Sequence, residues 1–436
     1  MAELTAHEQL MLEMVNRARL DPAAEAARLG IGVNTGLSSS QISTAAKQPL
    51  AANEVLKDAA LAHSLWMLAQ DRFSHTGTGG SDPGDRMTDA GYIFAGSSTW
   101  GENIAWRGTT GTPDRIAYAA QLADDLFKSP GHRVNILNDA FRELGTGIDG
   151  GRFTANGTTY NAVMATQNFA KTGTDFFLTG VAILDGDHDN FYDAGEARGG
   201  ISVAVSIGGA PAGFDTTATA GGYAVGVAGG TAQMTFSGGT LSSSVSVTVA
   251  MGARNAKIDL IDDHEIAASA STALGSGALN LVLLGIASIN GTGNAHGNSL
   301  FGNRGNNQLS GGDGADWLTG GQGRDVLTGG RGLDVFDFNS TSDTGRTSST
   351  RDKITDFVHG EDTVDLAGMD ARSTKGGNQK FSWRDDNAFT GKAGELRFGE
   401  LGSKTIVYGD TNGDKKADFQ IELTGLIDLT RGDFIL

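Results

Sequence analysis

Large apolar residues recur at a fixed period of nine between Gly293 and Asp337. Leu300, Leu309, Leu318, Leu327 and Phe336 hold the eighth place of five successive units: GNAHGNSLF (293–301), GNRGNNQLS (302–310), GGDGADWLT (311–319), GGQGRDVLT (320–328) and GGRGLDVFD (329–337). This pattern predicts a short strand and a Gly-rich turn per unit, two units to a coil, hence a parallel β-roll. Further upstream the pattern alternates β-branched residues with Gly in ISVAVSIGG (201–209), GGYAVGVAGG (221–230) and SVSVTVAMG (244–252). It predicts the strands of a small all-β sandwich over about 174–265. The first 172 residues mix periods, as an α+β unit does. Thr5 followed by Glu8 is a capping box opening an amphipathic helix. Asp21-Pro22 opens a second helix and Gly30 closes it. Asn53 to about Arg72 and Pro113 to Lys128 are predicted helical, with Ile116, Leu122 and Leu126 among the candidates for burial. ELGTGIDGGRF (143–153) and NAVMATQNFAK (161–171) read as antiparallel strands around a polar loop. The chain is thus expected to be multidomain, with units 1–172, 174–265 and 291–436 and a joint at 266–290 that becomes the roll's first strand around Leu281 to Leu284.

The nonapeptides carry chemistry as well as periodicity. Glycine enters φ > 0 without a Cβ clash, so Gly312, Gly314, Gly321, Gly323, Gly330 and Gly332 let each turn wrap its carbonyls around an ion. The sixth position holds Asn298, Asn307, Asp316, Asp325 and Asp334, hard oxygen donors of the kind Ca²⁺ prefers. Alternate turns are expected to stack on one edge, 298, 316 and 334 on one side and 307 and 325 on the other. The strongest site is expected between Asp316 and Asp334, and the uncharged Asn298 and Asn307 should mark weaker ones.

Composition narrows the setting. The chain has 436 residues and a net charge of −18, from 51 acidic and 33 basic side chains, which argues against nucleic acid or an anionic membrane as partner. There is no Cys, so no disulfide stabilises an exported form and Ca²⁺ is the available substitute. No apolar run reaches membrane-spanning length, and MAELTAHEQLMLEM lacks the apolar stretch of a cleavable signal peptide.

A second calcium pattern precedes the strands of the middle unit. In DGDHDNFYDAGE (185–196), Asp185, Asp187, Asp189, Asp193 and Glu196 occupy positions 1, 3, 5, 9 and 12 of an EF-hand loop, and the Phe191 carbonyl fits position 7. Asn190 stands where Gly is usual and tolerates the left-handed conformation. The flanks LTGVAIL and ISVAV are strand-like, so the expectation is an EF-type loop in a β context, resembling the calcium-loaded prealbumin-like or SD-repeat modules of bacterial surface proteins. Asp410 to Asp418 repeats the spacing, but its twelfth position is Ile421, and a plain turn between strands is the preferred reading.

Four segments carry a resemblance in the last third: the nonapeptides, RDKITDFVHGEDTVDLAGMD (351–370), AFTGKAGELRF (388–398) with DTNGDKKADFQIEL (410–423), and the terminal DFIL (433–436). Together they resemble the calcium-binding C-terminal domain of serralysin-type exported proteins, the RTX group. The resemblance implies a secreted protein, exported by a type I secretion machinery that reads an uncleaved C-terminal signal. A serralysin protease is excluded. Its HExxH motif is absent: the fourth residue after His7 is Met11 and after His264 is Ala268. No GxSxG elbow exists, and thiol catalysis needs a Cys the chain lacks.

FSHTG (73–77), DRMTDAGY (85–92), GENIAW (101–106), SPGHRVNIL (129–137), LGTGI (144–148) and TQNFAK (166–171), in this order, resemble the bacterial branch of the CAP superfamily, which includes cysteine-rich secretory proteins, antigen 5 and plant pathogenesis-related proteins. The resemblance implies an α-β-α sandwich with a central cleft, in which His75 and His132 match the two cleft histidines and Glu102 the first glutamate. The second glutamate has no counterpart; Ser129 stands near its place, with Asp124 and Asp125 about a turn earlier. Two imidazoles and a carboxylate suit Zn²⁺ or another divalent metal, or a small ligand. The same trio suits general acid–base hydrolysis with water, or a purely structural network. A lipid, glycan or envelope component is the implied kind of partner. His63, on the apolar LAHSLW, is expected in the core.

Overall fold

A computed structural model describes residues 3–38 and 41–436. The chain divides into two compact units, residues 1–244 with 250–263, and 245–249 with 264–436.

The first unit opens with six helices: α1 (Ala6–Leu20), α2 (Pro22–Arg28), α3 (Glu54–Ala69), α4 (Pro83–Asp89), α5 (Arg115–Lys128) and α6 (Pro130–Ile136). Among them runs a sheet of β1 (Ala51–Ala52), β2 (Thr99–Thr109), β3 (Glu143–Ala155) and β4 (Thr158–Lys171), ordered β1-β3-β4-β2. The capping box forms: Glu8 accepts the Thr5 N–H at 2.8 Å, and its other oxygen accepts the Ile148 N–H at 3.1 Å. One helix-start signal therefore also docks α1 on β3. Alternation along β3 separates the two faces. Leu144 points into a core with Leu12 and Val15 of α1 and Leu126 and Phe127 of α5. Gly145 and Gly147 point the other way, where a Cβ would lie 2.1 Å from Lys57 N and 2.0 Å from Leu61 N of α3. The two glycines of LGTGI are there because the backbone of α3 lies directly on the strand.

The same unit continues into β5 (Phe176–Ile183), β6 (Ser202–Ile207), β7 (Ala210–Thr216), β8 (Gly222–Val227), β9 (Gly230–Ser237), β10 (Val245–Gly252), whose first five residues belong to the second unit, and β11 (Ala256–Ile261). β5 pairs antiparallel with β8 and parallel with β11; β6 pairs antiparallel with β7 and β9. This β segment is fastened to the helical part by buried groups. Lys257 Nζ lies 2.8 Å from Glu13 of α1 and also binds Asp259, with all three side chains buried. Asn255 donates to Pro49 O at 2.9 Å and to Arg142 O at 2.7 Å.

In the second unit, short strands stack in parallel in two rows. One row is β12 (Glu265–Ala268), β14 (Asn280–Leu283), β16 (Ser299–Phe301), β18 (Trp317–Thr319), β20 (Val335–Asp337), β22 (Thr363–Asp365) and β27 (Phe434–Ile435). The other is β13 (Ser271–Leu274), β15 (Gly291–Thr292), β17 (Gln308–Asp313), β19 (Val326–Arg331), β21 (Asp352–Ile354) and β26 (Phe419–Thr424). Leu300, Leu318 and Phe336 are register partners, as are Leu309 and Leu327, and all five are buried. The stack begins with β12 at Glu265, ahead of Leu281 and one residue before the segment expected as a joint. β23 (Ser382–Trp383), β24 (Glu395–Leu401) and β25 (Lys404–Asp410) extend the second row beyond β26. Among the described residues no helix is long and apolar enough to cross a membrane.

Candidate functional site

The aspartates of the nonapeptides form two ladders. On one edge Asn298 N–H donates to Asp316 Oδ1 at 2.7 Å, Asp316 N–H to Asp334 Oδ1 at 2.9 Å, and Asp334 N–H to Asp362 Oδ1 at 3.1 Å. On the other, Asn307 N–H donates to Asp325 at 2.7 Å and Asp325 N–H to Asp352 at 2.8 Å. Asn298 and Asn307 therefore lie on the same edges as the aspartates that follow them. Asp352 and Asp362 had no place in the nonapeptide pattern, yet each sits at the head of the same triplet: Asp, any residue, then a buried apolar residue (Ile354 and Val364).

Each rung uses one carboxylate oxygen. The second oxygen, Oδ2 of Asp316, Asp325, Asp334 and Asp352, is buried without a hydrogen-bond partner. Burial raises their carboxyls, Asp316 to about 6, Asp325 to about 7 and Asp352 to about 9, and Asp334 in the same direction. A buried carboxylate oxygen lacking a donor calls for a proton or a cation. The space beside it is kept open by glycine: a Cβ at Gly311, Gly320 or Gly329 would lie 2.2, 2.5 or 2.3 Å from Oδ2 of Asp316, Asp325 or Asp334. Gly312, Gly314, Gly321, Gly323, Gly330 and Gly332 all have positive φ. A Cβ on Gly332 would meet Gly314 O at 1.6 Å. The residues fit a calcium-binding turn.

In the 185–196 loop the carboxylate oxygens of Asp185, Asp187 and Asp189 lie within 4.8 Å of one another. Asp185 accepts N–H groups of His188 at 2.8 Å and Asn190 at 2.8 Å, and both donors have positive φ. Burial pushes the Asp185 carboxyl up, but the N–H bonds from Asn190, Asp189 and His188 outweigh it and leave it lowered. Asp193 is raised, by burial and then by repulsion from Asp189, Asp187 and Asp185. Glu196 closes the loop by accepting from Gly186 N at 2.7 Å and Asp193 N at 3.2 Å. Phe191 lies under the Arg17 guanidinium, 4.5 Å from ring centre to carbon.

His75 and Glu102 meet in the helical part: His75 Nδ1 is 2.8 Å from Glu102 Oε1. The other oxygen, Oε2, is 2.5 Å from Arg86 Nη2, and Arg86 also donates to His75 O and Ser81 O at 3.0 Å each. Both Glu102 oxygens are thus engaged, one by the His75 imidazole and the other by the Arg86 guanidinium. With Nδ1–H donating to Glu102, the lone pair of the half-exposed His75 lies on Nε2. The His132 imidazole is lowered from its ordinary value, first by burial and then by the influence of His75. Its Nδ1 is buried without a partner. Asn103 fixes this side, donating to His132 O at 3.2 Å and Gln167 Oε1 at 3.0 Å. Among the described residues, three metal-ligand atoms gather within 4.8 Å of one another only at Asp185, Asp187 and Asp189, so His75, Glu102 and His132 are neighbours without forming such a cluster. Asp124 binds Arg28, and Asp125 binds Arg107 at 2.8 Å, so both carboxylates are engaged in ion pairs. His63 is buried, as its apolar helix face implies. Arg86 is the partner that sequence reasoning left without a role, although it lies in DRMTDAGY.

A family model for the cysteine-rich secretory protein (CAP) family matches residues 12–169, and one for the peptidase M10 serralysin C-terminal domain matches 297–436. No curated protein matches the chain. Among solved structures, an extracellular SCP-domain protein of Bacillus anthracis is 22% identical over 39% of this chain and 45% of that one, with a TM-score of 0.25. The match thus spans less than half of that protein's length. The R3 subunit of the mannuronan C5-epimerase AlgE6 of Azotobacter vinelandii is 23% identical over 34% of this chain and 78% of its own, with a TM-score of 0.25. An outer surface protein of Borrelia burgdorferi is 14% identical over 39% of this chain and 97% of its own, also at 0.25.

Proposed function

Because the chain joins a CAP domain to a serralysin-type C-terminal domain, we propose that it is a secreted, calcium-dependent binding protein. On this reading residues 291–436 form an RTX β-roll and export domain, delivered by a type I secretion machinery. Residues 174–265 are a β-sandwich spacer with its own calcium loop, and residues 1–172 are the CAP cargo. One observation carries the calcium reading: the row of buried Asp Oδ2 atoms without donors, three of them (Asp316, Asp325 and Asp334) beside a glycine whose Cβ would fill the space. Asp316, Asp325 and Asp334, now joined by Asp352, would hold the ions in the roll, and Asp185, Asp187, Asp189 and the Phe191 carbonyl would do so in the loop, with Asp193 and Glu196 completing it. Bound Ca²⁺ would supply the positive charge that lets stacked carboxylates stay ionised while buried. Calorimetric Ca²⁺ titration of the secreted chain, with circular dichroism before and after EGTA, tests this; a spectrum and heat trace blind to Ca²⁺ refute it.

For the CAP domain the binding reading is preferred. Either a small envelope ligand or a divalent metal such as Zn²⁺ would rest on His75 Nε2 and the His132 imidazole, with Glu102 as orienting group. A hydrolase is the second reading, favoured by one observation: the His75–Glu102 pair at 2.8 Å is a base held in a defined tautomer. His75→Ala and His132→Ala, assayed for metal content and for turnover on a broad ester, amide and glycoside panel, separate the two. Turnover that vanishes in the variants favours catalysis; ligand or metal loss without turnover favours binding.

A further inference from the structure

A cavity of about 500 Å³ lies between α3 and α4, sharing only Arg86 with the His75–Glu102 pair. Trp66 lines it, with its ring stacked on buried His63 at 5.5 Å and 11°. Thr78 and Ser81 offer hydroxyls, and Asp58 and Asp89 carboxylates. Arg86 also lines the wall, but its guanidinium is already held by Glu102, His75 O and Ser81 O. An anion would meet Asp58 and Asp89, whose oxygens are suited instead to accept hydrogen bonds from hydroxyls. The occupant that suits such a wall is uncharged, with an apolar face for an indole and hydroxyls that both donate and accept. That is a pyranose ring: its C–H face stacks on an aromatic side chain, and its hydroxyls bridge carboxylates and hydroxyls. The volume falls within the range of small-ligand sites.

We propose that this cavity binds one or two units of a neutral glycan. The proposal stands independently of the calcium reading and of any role for His75. The experiment is calorimetry on the full-length chain in Ca²⁺, with maltotetraose, cellotetraose and chitotetraose as probes, and with tetramethylammonium and sulfate as competitors. At least one saccharide is expected to bind and neither ion to displace it. Ala62→Leu fills the cavity from an exposed position on α3 and leaves the core untouched. It is expected to weaken binding at least about tenfold. Trp66→Phe should retain most of the binding and Trp66→Ala should lose it. No binding by any of the three saccharides, equal binding by Ala62→Leu, or displacement by either ion overturns the proposal.

Discussion

Oδ1 of Asp334 accepts the backbone N–H of Asp316 from the preceding coil at 2.9 Å, and Oδ2 of Asp334 is left buried with no partner. One oxygen therefore builds the ladder, and on the proposed calcium reading the other would hold the cation. Asp334→Asn keeps the first and removes the charge of the second. In EGTA the variant should be at least as stable as the parent, because the buried charge is gone. In Ca²⁺ at a hundredfold excess over Kd it should be less stable, by about 2.7 kcal/mol per lost site. Denaturant midpoints in the two buffers test this; identical Ca²⁺ responses of parent and variant would contradict it.

Glycines in the turns should divide sharply from glycines elsewhere. Gly332→Ala drives a Cβ to 1.6 Å from Gly314 O at a φ of +147°. It should destabilise the stacked strands by about 3 kcal/mol or more, as overpacking and backbone strain add. Gly131, in α6, offers open space, since an added Cβ would meet nothing within 4 Å, and its φ is not positive. Gly131→Ala should therefore be neutral or stabilise by up to about 1 kcal/mol. Thermal melts of both variants make the comparison.

The histidines set an acid limit for the first unit. Burial lowers both His63 and His132 from the ordinary value. An unfolded chain protonates its imidazoles near about 6.5, whereas these two resist until lower pH. The unfolded state thus holds more protons below about pH 6.5, and stability falls as pH drops through that range, levelling off above it. Melting points of the first unit between about pH 5 and 8 should show this, with a shallower slope for His132→Gln. A melting point that rises on acidification would contradict the assignment.

Removing a charge from a buried pair should cost more than removing the pair. Arg86→Met leaves Glu102 buried without its cation, and Lys257→Met does the same to Glu13 and Asp259. Each should destabilise the first unit by about 3–5 kcal/mol. Adding Glu102→Gln to the first, or Glu13→Gln with Asp259→Asn to the second, should restore part of that loss. Urea unfolding of singles and combinations measures it; simple additivity would count against the pairing.

The nonapeptide register could be read from the chain because one apolar residue and one acid recur at fixed spacing, and the spacing alone sets which residues stack. Asp352 and Asp362 escaped because an inserted segment lengthens the step from 18 to 27 and 28 residues, although their Asp-x-apolar triplets were visible. His75 and Glu102 were legible as motif residues. Arg86 was not, since its role depends on where α4 packs, and no local spacing encodes that. Lys257 was beyond reach for the same reason: its partner Glu13 lies almost at the other end of the unit, with no periodicity linking them.

The Glu13–Lys257 contact has a consequence for synthesis. Helix α1 leaves the ribosome early, but the ammonium that neutralises its inward carboxylate is translated more than two hundred residues later. Until then the amino-terminal layer holds an uncompensated charge facing its own interior. The helical part is thereby biased to stay pliable while the chain is being made, until the segment that carries Lys257 packs against it.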